Sequence, residues 1–314
     1  MAEKHIHKTY AIKPEREIPM STPRILLTND DGIDAPGLAA LYEELTGVAD
    51  VTVVAPADEQ SGVGRTRSKR AIRRPHPWGY SIAGTPADCV AYGLRGLDED
   101  FDLVVSGANH GPNAGNYVVG RSGTVGAGVE AGFLGTPALA ISAYHAADFF
   151  VHPPEEYDFS RPARIAADLV EDALDAGVFE EVDLVNVNAP VDVEEPPVQV
   201  TRPYPDYDLV VEHEGDVATA NTDGGTTPAW LDDRAEADGD DGDEDGEVVA
   251  LHDSTWPDVV GFQNPFPPTD EYRERYPVGS DRRALMDGAV SVSPLSVTMD
   301  AAESERLADL LDDW

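Results

Sequence analysis

Short apolar runs alternate with helical patterns along the first part of the chain. Residues 25–27 predict a buried strand, and the spacing of Leu38, Leu41 and Leu45 predicts a helix after it. Residues 50–56, rich in β-branched side chains, predict a second strand. A strand, a helix and a strand within about thirty residues form a βαβ unit, so this pattern predicts a parallel sheet.

The alternation continues to about residue 190. Strands are predicted at 103–105, 138–141 and 184–187, and a polar loop at 106–120. Helices are predicted after Thr85, from Thr124 to Phe133 and from Ser160 to Gly177. In the second of these helices Val125, Val129 and Phe133 form one apolar stripe. Residues 1–22 have no periodic pattern and are interpreted as a tail. Residues 23–314 are interpreted as one α/β domain, with a core at 23–190 and a β-rich extension at 191–314 that contains an acidic loop at 232–247.

Polar side chains follow three of the predicted strands. Asp30 and Asp31 follow the first, Ser61 follows the second, and Asn109 and Asn113 follow the third. The carboxyl ends of parallel strands meet at one edge of a sheet, where ligands bind, and carboxylate, hydroxyl and amide oxygens suit Mg²⁺ or Mn²⁺. The sequence therefore favours a metal site at this edge.

Each of these features also has a purely structural interpretation. Asn29 and Asp30 can form an Asx-turn while Asp31 caps the following helix. Ser61 lies in an ordinary glycine-containing loop, and asparagines are common wherever a loop needs left-handed turns.

The segment Ser122-Gly123-Thr124 opens a predicted helix. The unpaired N–H groups at that helix start, together with two hydroxyls, predict an anion site. The segment has neither the Gly-Lys-Ser/Thr of a P-loop nor a GxGxxG pattern.

The charge is strongly acidic, with 60 Asp and Glu against 22 Lys and Arg and a net charge of −38. Acids spread along the whole chain favour adaptation to a salt-rich cytosol, because molar salt screens their repulsion. An acidic module for a basic partner would instead have a localised acidic face. The charge argues against binding of duplex nucleic acid.

Six basic residues stand out against this background: Arg65, Arg67, Lys69, Arg70, Arg73 and Arg74. They follow the predicted second strand, next to the predicted site. Two interpretations stay open: recognition of an anionic substrate such as a phosphate, or pairing with acids of a neighbouring subunit.

Cys89 is the only cysteine, which excludes an intrachain disulfide and indicates a reducing compartment. We interpret it as a core residue. The first residues have no apolar signal segment, and the chain has no run of membrane-spanning length. We expect a cytoplasmic protein that does not associate with membranes.

Several stretches together resemble the SurE family of divalent-metal-dependent 5′/3′-nucleotidases. They are LLTNDDGIDAPGL, VVAPADEQSGVG, VVSGANHGPNAG and SGTVGAGVEA, followed in the same order by GTPADCV, LVNVNAP and GAVSVSPL at family-like positions. The resemblance implies metal ligands at Asp30, Asp31, Ser61 and Asn109. It implies a phosphate-binding and catalytic group that includes Asn113, Ser122, Gly123 and Thr124.

The resemblance also implies a Rossmann-like three-layer sandwich with a mostly parallel sheet. Its C-terminal extension would be exchanged or paired between subunits of a homodimer or homotetramer. The expected reaction is hydrolysis of a nucleoside monophosphate by water with one divalent metal, Mg²⁺ or Mn²⁺, per subunit, and with Asp30 or Asp31 taking the proton. The alternative is a non-catalytic nucleotide-binding regulatory protein on the same fold.

Overall fold

The structure is a computed structural model that describes residues 22–147, 153–205, 209–216, 247–253 and 270–298. Its strands are β1 (Arg24–Thr28), β2 (Asp50–Pro56), β3 (Ile72–His76), β4 (Gly79–Ala83), β5 (Leu103–His110), β6 (Ala138–Tyr144), β7 (Leu184–Pro190), β8 (Val198–Val200), β9 (Leu209–Asp216), β10 (Glu247–Asp253) and β11 (Val290–Leu295). Its helices are α1 (Pro36–Leu45), α2 (Pro86–Gly96), α3 (Asn116–Arg121), α4 (Gly123–Phe133), α5 (Ser160–Asp175), α6 (Asp270–Arg275) and α7 (Asp281–Met286), with 3-10 turns at Pro154–Glu156 and Val178–Glu180.

Nine strands form one mixed sheet in the order β3-β4-β2-β1-β5-β6-β7-β11-β8. All neighbours pair in parallel except β3 with β4 and β11 with β7. The chain leaves β1 towards β2 on one side and returns to β5 on the other. The crevice between the carboxyl ends of β1 and β5 is therefore the topological switch point, where ligands bind in such sheets.

Helices cover both faces of the sheet, which confirms the three-layer α/β prediction. On one face α1 packs against α5, and Leu38, Leu41 and Val170 join the buried residues of the sheet. On the other face α2 packs against α4, with Val90 and Val125 in a second apolar cluster.

The predicted helix start at Thr85 is confirmed in detail. The Thr85 hydroxyl accepts from the Asp88 N–H, and the Asp88 carboxylate accepts from the Thr85 N–H at 3.0 Å, which is a capping box. Cys89 on this helix is fully buried, as expected of a core residue, and burial raises the pKa of its thiol far above the usual range.

The predicted loop at 106–120 is wrong at both ends and is shorter in the structure, where it spans residues 111–115. Strand β5 continues to His110, because Asn109 and His110 pair with Ser142 and Ala143 of β6 after an irregularity in register. Gly107 makes this possible with a φ of 134°, and a Cβ there would lie 2.2 Å from the Ile141 carbonyl oxygen. Asn116–Arg121 then forms α3.

The predicted apolar stripe of α4 is wrong at its last position. Phe133 is 55% exposed, and the Arg65 guanidinium lies 4.5 Å from the centre of its ring. The Arg65 guanidinium therefore covers the Phe133 ring, which the sheet does not cover.

Strands β3 and β4 were not predicted from the sequence. Because β3 is the edge strand of the sheet and includes Arg73 and Arg74, these two basic residues do not lie in a loop. In the predicted extension, β9 and β10 form a separate antiparallel pair, β11 joins the main sheet beside β7, and α6 and α7 add unpredicted helices. The tail up to residue 21 and the acidic run from 232 to 246 lie outside the described residues. In the part of the chain that is described, every helix is too short or too polar to span a bilayer.

Candidate functional site

Backbone hydrogen bonds tie the loop after β1 to the segment after β2. The Gln60 N–H donates to the Asp30 carbonyl at 2.7 Å, and the Ile33 N–H donates to the Pro56 carbonyl at 2.8 Å. Parallel pairing of β1 with β5 brings the end of the third strand to the same edge. The sheet therefore collects the three polar segments that the sequence predicted there.

Asp30 is buried, 3% exposed, against the start of α4. The Thr124 hydroxyl donates to its Oδ1 at 2.5 Å, and a Cβ on Gly123 would lie 2.7 Å from its Oδ2. Burial raises the pKa of Asp30 to about 6, although the hydrogen bonds from Thr124 oppose this shift. Asp30, Gly123 and Thr124 are thus brought together.

Asp31 accepts a hydrogen bond at 3.1 Å from the backbone N–H of His110, at the end of β5. Burial first, and then the charge of Asp30, raise the pKa of Asp31 to about 8. Glu59, a residue not singled out in the sequence, adds its charge to the same effect on both carboxyls.

The structure decides against one structural interpretation of this loop. The N-cap of α1 is Ala35, which makes no side-chain capping bond, so Asp31 does not cap that helix. The turn is instead held by Asn29, whose Nδ2 donates to the Gly32 carbonyl at 2.8 Å.

The two predicted neutral ligands lie on neighbouring segments. Ser61 directly follows Gln60, and its hydroxyl donates to the Glu59 Oε1 at 3.0 Å. The buried Asn109 lies beside His110 on β5, and its Nδ2 donates to the Gly111 carbonyl at 2.6 Å. This bond leaves the amide oxygen of Asn109 as its ligand atom.

Asn113 is anchored on the sheet. Its backbone N–H donates to the Asn188 Oδ1 at 2.7 Å, and its Nδ2 donates to the Ser142 hydroxyl at 2.9 Å. Its carbonyl accepts from the Nδ2 groups of Asn186 and Asn188. Asn186 and Asn188 were not predicted as part of the site, although two asparagines in a buried strand were a visible signal.

The segment Ser122-Gly123-Thr124 opens a helix, as predicted, and Ser122 is the N-cap of α4. Its hydroxyl oxygen accepts from the Val125 N–H at 3.0 Å, which leaves its own proton for another acceptor. The start of this eleven-residue helix is buried and adjoins Asp30.

Half of the basic cluster is engaged by its own chain. Arg67 pairs with Glu130 of α4 at 2.9 Å and with Asp88 of α2 at 3.6 Å. Arg65 covers Phe133, and Arg73 donates to the Tyr92 hydroxyl at 2.7 Å. Lys69, Arg70 and Arg74 are exposed.

The residues present fit a hard divalent cation. Asp30 is buried, Asp31 beside it is half-buried, and the pKa of each carboxyl is raised. Carboxylates withdrawn from water are stable when they are paired or bound to a metal. Among the described residues, no group of three or more His, Cys, Asp or Glu could hold a metal ion. A metal would therefore need neutral oxygens such as those of Ser61 and Asn109, a donor set that suits Mg²⁺ or Mn²⁺.

The fold and the site define an α/β protein with an acidic, all-oxygen site at the switch point of a mostly parallel sheet. The family model described as "Survival protein SurE" matches residues 25–206. Proteins named 5′-nucleotidase SurE from Natronomonas pharaonis and Halobacterium salinarum are each 42% identical, over 92% of this chain and 99% and 96% of their own lengths. The chain belongs to the SurE family.

A solved structure supports the same fold. The crystal structure of the SurE protein from Aquifex aeolicus matches with a TM-score of 0.68 and 28% identity, over 93% of this chain and all of that one. The relatives are thus similar along nearly the whole length, including the region after residue 206.

Proposed function

We propose that the chain is a metal-dependent 5′-nucleotidase that hydrolyses nucleoside monophosphates to nucleoside and phosphate. The observation that carries this proposal is the pair of adjacent carboxyls: the buried Asp30 contacts the start of α4, and the half-buried Asp31 lies beside it in the chain. Two carboxylates beside a helix N-terminus suit a cation and a phosphate bound side by side.

Asp30, Asp31, Ser61 and Asn109 would hold the divalent ion. The ion would supply positive charge to the phosphoryl oxygens and lower the pKa of water. Thr124 holds Asp30 in place through its hydroxyl, and the His110 N–H holds Asp31. The two carboxylates are therefore oriented before any ligand arrives.

The start of α4 would bind the phosphate. Backbone N–H groups of the first helical turn have no partner within the helix, and they carry the positive end of the helix dipole. The Ser122 hydroxyl adds one more hydrogen-bond donor. Asn113, which is close to Ser122 in the sequence, is held in position by hydrogen bonds to Asn188 and Ser142. These donors would stabilise the charge that develops as water attacks phosphorus in line.

Asp31 is the better candidate to accept the proton of the attacking water. The Oδ1 of Asp30 is engaged by the Thr124 hydroxyl, whereas Asp31 accepts one backbone hydrogen bond, from the His110 N–H to its Oδ2. The other oxygen of Asp31 is therefore the candidate acceptor of the proton.

We also infer a homodimer or homotetramer assembled through the C-terminal extension, in the cytoplasm. Exposed valines support this assembly, because Val200 of β8, Val211 of β9 and Val249 of β10 leave apolar surface in that extension. A second subunit would remove this surface from water.

The test is phosphate release from a panel of 5′- and 3′-nucleoside monophosphates, with Mn²⁺ or Mg²⁺ and with a chelator. The proposal predicts release from the 5′ compounds that stops in the chelator. Metal-independent nucleotide binding by the folded protein without any release would instead favour a regulatory binding protein.

A further inference from the structure

A cleft of about 160 Å³ opens beside Asp31, on the side of α1. Its lining includes Asp31, Ala35, Gly37, Glu59, His110 and Phe159. It shares Asp31 with the proposed metal site, but none of its other lining residues belongs to the predicted metal or phosphate set.

Two walls of the cleft are rings held by a third ring. Phe159 stacks on Tyr157 with centroids 5.4 Å apart, and His110 meets Tyr157 edge-on at 4.5 Å. Phe159 and Tyr157 are both buried, so this wall is fixed before a ligand binds. Rigid aromatic walls with a few polar groups are typical of sites for planar rings.

The polar lining of the cleft includes two carboxyls. Asp31 and Glu59 offer oxygens that accept hydrogen bonds from N–H or O–H groups of a ligand. The volume also limits the ligand, since a cavity of roughly 150 Å³ holds a benzene-sized ring. The cleft therefore suits one uncharged ring system with hydrogen-bond donors.

We propose that this cleft binds the base of the nucleotide while the phosphate lies at the start of α4. This inference rests on the proposed function and names the part of the substrate that the cleft recognises. The side chains of Ala35, Phe159 and His110 then contribute to recognition of the base.

The first test fills the cleft with Ala35→Leu. Ala35 makes no side-chain capping bond at the start of α1, so the helix loses no cap. The readout is the ratio of kcat/KM for adenosine 5′-monophosphate to kcat/KM for ribose 5-phosphate, which has a C1 hydroxyl in place of the base. The ratio should fall about tenfold or more, which is the usual effect of misfit in an apolar pocket.

The matched control is Ala39→Leu, one turn further along α1 and outside the lining of the cleft. It should keep the wild-type ratio. A wild-type ratio in Ala35→Leu, or an equal fall in both alanine variants, would overturn the proposal.

The second test does not depend on turnover. Calorimetry with adenosine and the metal-free protein should show saturable binding that Ala35→Leu weakens about tenfold and Ala39→Leu leaves unchanged. Adenosine binding without phosphate release from nucleotides would contradict the proposed nucleotidase activity and support the proposed base site in the cleft. Phosphate release by a wild-type protein that does not bind adenosine would support the nucleotidase activity and contradict the base site.

Discussion

Asp30 and Asp31 have opposite effects on the stability of the metal-free protein and on its activity. Loss of solvent raises the pKa of both carboxyls, and the charge of Asp30 further raises the cost of ionising Asp31. Burial of like charges is unfavourable in the metal-free protein and useful once a cation binds. The pair is thus a place where the protein gives up stability for function.

The first prediction concerns Asp31→Asn in the presence of a chelator. Folding raises the pKa of this carboxyl from 3.8 to about 8, so the folded state binds its proton more tightly than the unfolded state. Stability from this group is therefore lost as the pH rises through that window. We expect the variant to match the wild type at about pH 4 and to exceed its free energy of unfolding at about pH 8, measured by urea unfolding.

The control for this prediction is Asp34→Asn. Asp34 lies three residues further along the same loop, and its side chain is 91% exposed. It should show no such gain with pH. A variant of Asp31 that is less stable than the wild type at every pH would contradict the account of a costly buried charge.

The second prediction concerns Gly123→Ala. A Cβ at this position would lie 2.7 Å from the Asp30 Oδ2, so the carboxylate must move, and a shift of about 1 Å in an active site can cost roughly 100-fold in rate. Alanine favours helix, so α4 itself should not be weakened. We expect kcat/KM for adenosine 5′-monophosphate to fall about 100-fold with little change in the thermal midpoint.

Gly120→Ala is the matched control, because it is also helical and a Cβ there meets nothing within 4 Å. It should keep wild-type activity. Equal activity of the two alanine variants would show that Asp30 does not depend on its contact with Gly123.

At the scale of elements, helix α7 holds the loop that carries Asn113. The buried carboxylate of Asp281 accepts from the Gly115 N–H at 2.6 Å and from the Tyr204 N–H at 3.0 Å. The fully buried Arg282 packs against Gly115, where a Cβ would lie 2.5 Å from its guanidinium. The segment after residue 270 is therefore part of the support of the site.

The third prediction concerns Asp281→Asn. The amide can no longer accept from both N–H groups, and loss of a hydrogen bond to a buried charge costs about 2 kcal/mol. We expect a lower free energy of unfolding by about this amount and a several-fold fall in kcat for phosphate release. Glu274→Gln on the exposed surface of α6 is the control and should change neither. Wild-type activity in Asp281→Asn would contradict a role of α7 in the site.

The elements that the sequence predicted well have a strong local signal. The helix start at Thr85 and the apolar spacing of Leu38, Leu41 and Leu45 depend on residues a few positions apart, and both are found as expected. The extension of β5 to His110 could not be predicted in this way, because its polar residues are held by pairing with β6. Tertiary contacts there override local composition.

The candidate site divides in the same manner. Asp30, Asp31 and the start of α4 lie at element ends that the pattern locates. The hydrogen bonds from His110 to Asp31 and from Gly115 to Asp281 join residues that are far apart in the sequence. Glu59 likewise acts on the two carboxyls from another segment. The periodicity of the sequence does not indicate these contacts. Their discovery required the fold.

At the scale of the whole molecule, the net charge of −38 predicts dependence on salt. The Debye length is about 10 Å at 0.1 M and about 3 Å at 1 M, so molar salt screens repulsion between neighbouring surface acids. The fourth prediction is that the free energy of unfolding in urea rises from dilute buffer to molar KCl. Equal unfolding midpoints in the two solutions would contradict salt adaptation.

The central claim is that Asp30 and Asp31 hold a divalent ion on which hydrolysis depends. The most direct test is phosphate release from adenosine 5′-monophosphate in molar KCl, measured while Mn²⁺ is added to chelator-treated protein, for the wild type and for Asp30→Asn. The account predicts release that rises to saturation with Mn²⁺ in the wild type and stays near background in a folded Asp30→Asn. Full activity in the chelator, or wild-type activity in the variant, would contradict it.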